Sequence, residues 1–304
     1  MIVMIEDKDI DNAIEAGRIA SSALMMARRL VKKDRLLLDI ARTTEEYIIS
    51  KGAKPAFPMQ MSINENAAHD TVSYDDKRIF NGDEVVKIDV GCHVSGIIAD
   101  NALTVDLGGE HRKLLESSLN ALEYAVNNVK NGITITELSE GISSSITTKG
   151  FVPVSNLSGH GLGKYRIHSD PQIPNILVRS DYKIRPYHHI AIEPFSTDGY
   201  GKVIDSKTVQ VYALSRNTNV RDMIARQALS IIRGYNGLPF SMRWLSERMG
   251  KQRAEHAVTV LLSNNIISAY PVLREVQGGI VAQHERTFIV LEDETIVTTK
   301  WSLE

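Results

Sequence analysis

The chain predicts an α+β fold with a mostly antiparallel sheet. Helix-like and strand-like segments alternate irregularly along it, which argues against the regular alternation of a parallel α/β sheet. Neighbouring strand-like segments are joined as hairpins, the connection that antiparallel strands use. Glycines also stand where three of the helical runs should stop. With 304 residues, 43% apolar and 24% charged, the chain buries a large core and has room for one big domain plus an insertion.

Residues 13–30 carry apolar side chains at helical spacing, and a second helix follows over 36–50, with Gly52 placed to end it. The stretch AFPMQMSINENAAHD (56–70) loses periodicity around Pro58 and reads as loop and short strand. Residues 84–105 read as strand, turn, strand, the turn lying near Val94, Ser95 and Gly96. Helical patterns cover 111–131 and 136–149, closed by Gly132 and Gly150. Strands return from 151 to about 211. Residues 220–264 are helical, with breaks at Gly234, Gly237 and Pro239, and strands over 279–291 and 295–300 complete the chain.

Charge is distributed unevenly. Between residues 216 and 270 there are eight Lys/Arg and three Asp/Glu, a balance of 8 − 3 = +5, which leaves 27 against 34, or −7, elsewhere. That pattern is a basic module inserted in an acidic body. A single cysteine, Cys92, forbids an internal disulfide and points to a reducing, cytoplasmic setting. No run approaches 18 apolar residues, and acids stand where a signal peptide needs a basic region, so no membrane partner is expected.

Five side chains carry the chemistry: Asp89, Asp100, His160, Glu193 and Glu285. Four carboxylates and an imidazole balance the charge of two divalent cations. A hairpin centred between Val94 and Ser95 pairs Asp89 with Asp100 directly, on one face with Cβ atoms about 4.5–5.5 Å apart, which suits metals about 3.5–4 Å from each other. His160 lies in SGHGLG, where glycines allow close backbone approach, and Glu193 ends the apolar strand AIEPF ahead of Pro194. Glu285 lies in another apolar strand, with Gln283 on its face. Taken singly, these have plainer readings as a loop histidine and solvated acids. Several carboxylates in apolar strands are costly unless a common cation binds them.

The stretches KIDVGCHVSGIIADNA (87–102), NLSGHGLG (156–163), IAIEPFST (190–197) and VAQHERT (281–287) together resemble the methionine aminopeptidases, in particular their type II branch. The resemblance spans nearly the whole chain. It implies the pita-bread (creatinase/aminopeptidase-like) fold over residues 1–197 and 271–304, with 198–270 an inserted winged-helix-like helical subdomain. The implied activity is removal of the N-terminal, initiator methionine from nascent proteins and peptides whose second residue is small. Asp100 and Glu285 would bridge two metals (Co, Mn, Fe or Zn), Asp89 would hold the first, and His160 with Glu193 the second. A hydroxide activated by both metals would attack the first peptide bond. His69 in NENAAHD and His168 in YRIHSD match the substrate-side histidines, and with Glu193 they are the catalytic candidates. Phe57, Ile167, Phe195 and Tyr270 match an apolar pocket for an unbranched thioether. His93, His111, His188, His189, His256 and His284 match no functional position and read as surface or structural. The sequence departs from the family at His284-Glu285-Arg286, where the pattern is usually Phe-Glu-His.

Ninety-one residues separate Glu193 from Glu285, far more than in type I enzymes. The excess is the basic segment, read as a lid that shapes the pocket. Its charge also suits ribosomal RNA, the alternative reading, under which the chain would associate with the ribosome; DNA is not expected. Two rivals stand beside this reading. An Xaa-Pro peptidase of the same fold normally carries a large preceding domain, whereas 68 residues precede His69 here. A nucleic-acid-binding relative would have lost metal ligands, and this chain keeps all five.

Overall fold

A ten-residue strand, Val85–Val94, turns back into Ile97–Asp106 through Ser95 and Gly96. Both turn residues adopt left-handed backbone (φ 53° and 90°), the two-residue turn whose twist matches that of the flanking strands. The computed structural model containing this hairpin describes residues 3–303, so the outer bounds 1 and 304 of the expected catalytic segments lie outside it. The turn places Val94 opposite Ile97, Gly91 opposite Asp100 and Asp89 opposite Ala102. The direct pairing of Asp89 with Asp100 is therefore corrected: the hairpin centre falls between Ser95 and Gly96, one residue later. Moving the centre by one residue shifts the pairing by two, so parity is kept. Both aspartates still share a face, now as diagonal neighbours.

The helix Ile10–Leu30 lies across this hairpin. Its buried face is built from Ala16, Ala20, Ala23 and Ala27, small residues that permit close packing. At Gly17 the fit leaves no room for a Cβ, which would stand 2.2 Å from the Thr298 carbonyl oxygen. The helix Leu37–Ser50 follows, and a second helical pair, Arg112–Asn128 and Ile135–Thr147, packs together. Gly132 and Gly150, at φ 88° and 85°, lie just past the ends of those two helices. Thr134 and Glu137 form a reciprocal cap at the start of the latter.

Every strand pairing among the described residues is antiparallel. One sheet runs Thr295–Val297, Arg286–Val290, His189–Ile192, Ser158–Gly163, Arg166–Pro174. A second joins the long hairpin to Gln60–Ile63 and Lys54–Pro55, and a third joins Val281–Gln283, Phe195–Thr197 and Val152–Pro153.

The inserted segment has an apolar cluster of its own, including Tyr212, Leu229, Phe240, Leu245 and Leu261. Three helices, Met223–Arg233, Met242–Met249 and Lys251–Ser263, are carried on two long paired strands, Val203–Leu214 and Ile267–Glu275. The segment is thus a helical cap on a β-ribbon, the first arm of which lies where strands are expected up to about residue 211. The second arm, absent from the sequence reading, hides behind Pro271, a residue that argues against a strand interior. The ladder accommodates it with register irregularities between Asp205 and Val211. At its inner end this arm pairs with Asn66–Ala68, next to His69.

Candidate metal centre

Asp89 and Asp100 project from the hairpin, and His160 from the strand Ser158–Gly163. Glu193 and Glu285 sit at breaks between strands. Glu193 separates His189–Ile192 from Phe195–Thr197, and Glu285 separates Val281–Gln283 from Arg286–Val290. In both cases the chain leaves the five-stranded sheet for the three-stranded one, or the reverse. The two acids therefore occupy equivalent switch points.

A seam of contacts brings Glu285 against Asp100. Ala102 and Glu285 exchange backbone hydrogen bonds (3.4 and 2.9 Å). Thr287 Oγ1 accepts from the Asp100 amide at 2.9 Å and donates to the Asp100 carbonyl at 2.7 Å. Thr104 Oγ1 does the same to Gln283, at 2.8 and 2.7 Å. Two threonine hydroxyls thus stand in for backbone pairs where the sheets separate. Gln283 Nε2 donates toward Glu193 at 3.3 Å and Glu285 at 3.4 Å, holding the two acids at one spacing.

The result is a buried anionic floor. One ligand atom each from Asp100, His160 and Glu285 lie within 4.8 Å of one another. His160 Nε2 stands 3.5 Å from Glu193 Oε1 and 4.0 Å from Asp100 Oδ2. Its Nδ1 faces the Gly161 carbonyl, weakly at 3.4 Å; an acceptor there leaves the hydrogen on Nδ1 and the lone pair on Nε2, toward the acids. Burial pushes the carboxyls of Asp89, Asp100, Glu193 and Glu285 above the usual carboxylate range, and the Asp100 charge adds to this for the other three. Burial also holds the His160 imidazole neutral. Asp89 Oδ1, Asp100 Oδ1 and Glu285 Oε1 are buried and lack a hydrogen-bond partner. Orphaned oxygens beside a neutral imidazole nitrogen are the donor set a divalent cation takes, and such a charge would reverse the unfavourable electrostatics. The residues fit the group.

The floor opens into a cavity of about 490 Å³, whose lining includes Phe57, His69, Ile167, His168, Phe195 and Tyr270. The His168 ring meets the His160 ring edge-on at 4.5 Å, and its surroundings hold it neutral, with a pKa of about 4, mainly through burial and then through His69. Burial likewise lowers the pKa of His69, whose ring stands edge-on to Tyr270 at 5.7 Å. Val211 and Pro239 of the inserted segment, with Leu273 farther along the strand Ile267–Glu275, complete the outer wall.

The remaining histidines separate into two groups. His93, His188, His189 and His284 are buried. His93 caps the hairpin turn by accepting from the Gly96 amide, and His188 bridges Tyr182 and Arg185. His284 meets Ser118 at 2.8 Å and leans on Trp301, whose other neighbour is the Arg286 guanidinium. The unusual flanks of Glu285 thus pack away from the cleft, onto the C-terminal segment. His256 is exposed, and His111 partly so.

The sequence singles out no supporting role for Thr104 or Thr287. Threonines in strands give no signal until the seam exists. Gln283 was legible only as sharing the face of Glu285. Some charges of the basic segment are held inside the fold. Arg243 is buried in a bidentate pair with Glu45 (2.6 and 2.7 Å), Arg233 ties down Asn217, Thr218 and Asn219, and Lys251 pairs with Asp75.

Comparison with known proteins adds to this geometry. The model of metallopeptidase family M24 matches residues 11–240. A methionine aminopeptidase of Pyrococcus abyssi is 42% identical over 96% of this chain and 100% of its own length. One of Archaeoglobus fulgidus is 39% identical over 97% of this chain and 100% of its own. Among solved structures, a thermophilic Arx1 superposes with a TM-score of 0.86 at 13% identity, covering 98% of this chain and 93% of that one. Methionine aminopeptidase from Thermotoga maritima gives 0.73 at 21% identity, with 99% and 100% covered. Prolidase from Pyrococcus furiosus gives 0.65 at 18%, and there only 66% of the prolidase chain is covered. At these identities the structures speak to the fold.

Proposed function

The chain belongs to metallopeptidase family M24 and has the pita-bread fold, and we propose that Asp89, Asp100, His160, Glu193 and Glu285 are the residues that would hold its divalent metal. The protein is a methionyl aminopeptidase, a hydrolase acting on peptide N-termini. The observation that carries the site is the cluster of Asp100, His160 and Glu285 ligand atoms within 4.8 Å of one another, beside buried carboxylate oxygens of Asp89, Asp100 and Glu285 that have no hydrogen-bond partner. An oxygen-rich donor set with one imidazole suits Mn, Fe, Co or Zn. A divalent cation held there supplies Lewis acidity and lowers the pKa of water.

The rest of the site belongs to the chain's own side chains. Phe57, Ile167, Phe195 and Tyr270 take the unbranched thioether of the first residue, excluding water from it. Neutral His168 contacts the scissile carbonyl, and neutral His69 the scissile amide, which imidazolium rings would do with the opposite hydrogen-bond character at one nitrogen. The inserted segment, residues 198–270, acts as the outer wall of the cleft. Val211, Pro239 and Tyr270 of this segment line the cleft, which favours that role over contact with ribosomal RNA. No helix among the described residues is long and apolar enough to cross a membrane.

The test is cleavage of Met-Ala-initiated peptides against Xaa-Pro peptides with other first residues. Free methionine from the former, with little cleavage of the latter, is expected. Equal or faster cleavage of Xaa-Pro bonds would replace this reading with the prolidase one.

A further inference from the structure

His69 stands in the left-handed region, at φ 64°. For a residue with a Cβ that conformation costs about 1–2 kcal/mol, so it persists only if its surroundings enforce it. Two hydrogen bonds do so. The ring Nδ1 lies 3.1 Å from the Pro271 carbonyl, which can only accept; Nδ1 therefore carries the hydrogen and Nε2 keeps its lone pair. The backbone N–H of His69 donates to Gln60 Oε1 at 2.6 Å.

We propose that Gln60 is a positioning residue for His69, holding the peptide unit before it so that the ring presents Nε2 to the substrate. Gln60 is well placed for this. It is 6% exposed and lies directly opposite Asp89 in the sheet, so its own backbone is fixed by the ladder that carries a metal-ligand candidate. The residue before it is also anchored, because the Met59 amide donates to Glu45, itself gripped by Arg243 and Trp244. Beyond His69 the chain is held again: Asp70 binds Arg78 and Asn66, and its carbonyl accepts from the Met61 amide. Both flanks being tied, the orientation of the peptide unit between Ala68 and His69 depends on the Gln60 side chain. Without that acceptor the unit is free to relax from the left-handed conformation, and the ring shifts relative to the floor.

The inference rests on the reading of His69 as a substrate-side histidine, and a double-mutant cycle separates the two. Gln60→Met keeps length and removes the acceptor; His69→Asn removes the imidazole while keeping a residue that tolerates left-handed backbone. Metal content is measured for each protein. Gln60→Met should lower kcat on a Met-Ala peptide about 30-fold with KM changed less than about 3-fold, a cost typical of an ångström-scale misplacement. In the His69→Asn background the same substitution should have no further effect, because no ring remains to be aimed. Full effect in both backgrounds would mean that Gln60 acts elsewhere, through Asp89 opposite it, and the proposal falls. Unchanged kcat in Gln60→Met also overturns it. Loss of activity in Gln60→Met with none in His69→Asn would instead overturn the role of His69. Should Gln60→Met not fold, Gln60→Asn, whose shorter side chain withdraws the same oxygen, takes its place in the cycle with the same outcomes.

Discussion

On the floor of the cleft Asp89, Asp100 and His160 are aimed by strand register, and Glu193 and Glu285 by the breaks where strands change sheets. On the outer wall His69 is aimed by hydrogen bonds to residues 9 and 202 positions away. The floor tolerates error in its prediction, because register slips in steps of two preserve the face; the hairpin centre is one residue from the expected place, and both aspartates still line the same cavity. The wall has no such protection. It depends on Pro271 of one insertion arm and on the Arg243–Glu45 pair that joins the insertion to the helix Leu37–Ser50. The proposed metal ligands and the proposed substrate contact are thus held by different parts of the fold.

The largest effect expected from breaking this division is at the floor. Asp100→Asn and Glu285→Gln should each lower turnover by about a thousandfold or more and reduce bound metal, since each removes a charge that the site must balance. Metal-replete variants turning over near the wild-type rate would contradict the assignment. On the wall, Arg243→Met leaves the Glu45 carboxylate buried with only neutral partners, at a cost of about 3–5 kcal/mol. Denaturant unfolding should register it, and metal content should stay unchanged in the folded protein. A loss under about 1 kcal/mol would show that the insertion is held mainly by its apolar contacts.

The smallest effect concerns pH and the strand His189–Ile192, which underlies the floor. Burial lowers the pKa of His189 to about 4, and its Nε2 has no partner. The unfolded chain, near pKa 6.5, binds more protons between pH 6.5 and 4. Stability present above pH 6.5 is therefore lost as pH falls toward 4, by up to about 3 kcal/mol for this group. His189→Leu should flatten the fall in Tm between pH 7 and pH 5; an unchanged slope would assign it to other groups.

How much of this was legible in the sequence follows the same division. The floor candidates are acids set among apolar neighbours, an anomaly that a sequence displays openly, and the helices are bounded by glycines that retain that role in the structure. The second insertion arm was hidden by Pro271, which contradicts local strand rules and is accepted only because its partner strand is irregular there. The Thr104 and Thr287 seam, the burial of Arg243 and the reach of Gln60 to His69 are consequences of packing between distant segments. No local pattern encodes them. Arg243 is the clearest instance, since its charge counted toward the basic balance and the fold pairs it with the buried carboxylate of Glu45.

Hydrolysis is proposed to depend on a cation held by the five floor residues. The most direct test is metal titration of chelator-stripped protein, reading bound metal by mass spectrometry and methionine release from a Met-Ala peptide in the same samples. The account predicts that stripped wild-type protein is inactive, that activity returns in step with bound divalent metal, and that Asp100→Asn neither binds at the same metal concentration nor recovers. Full methionine release from protein shown to be metal-free would contradict it.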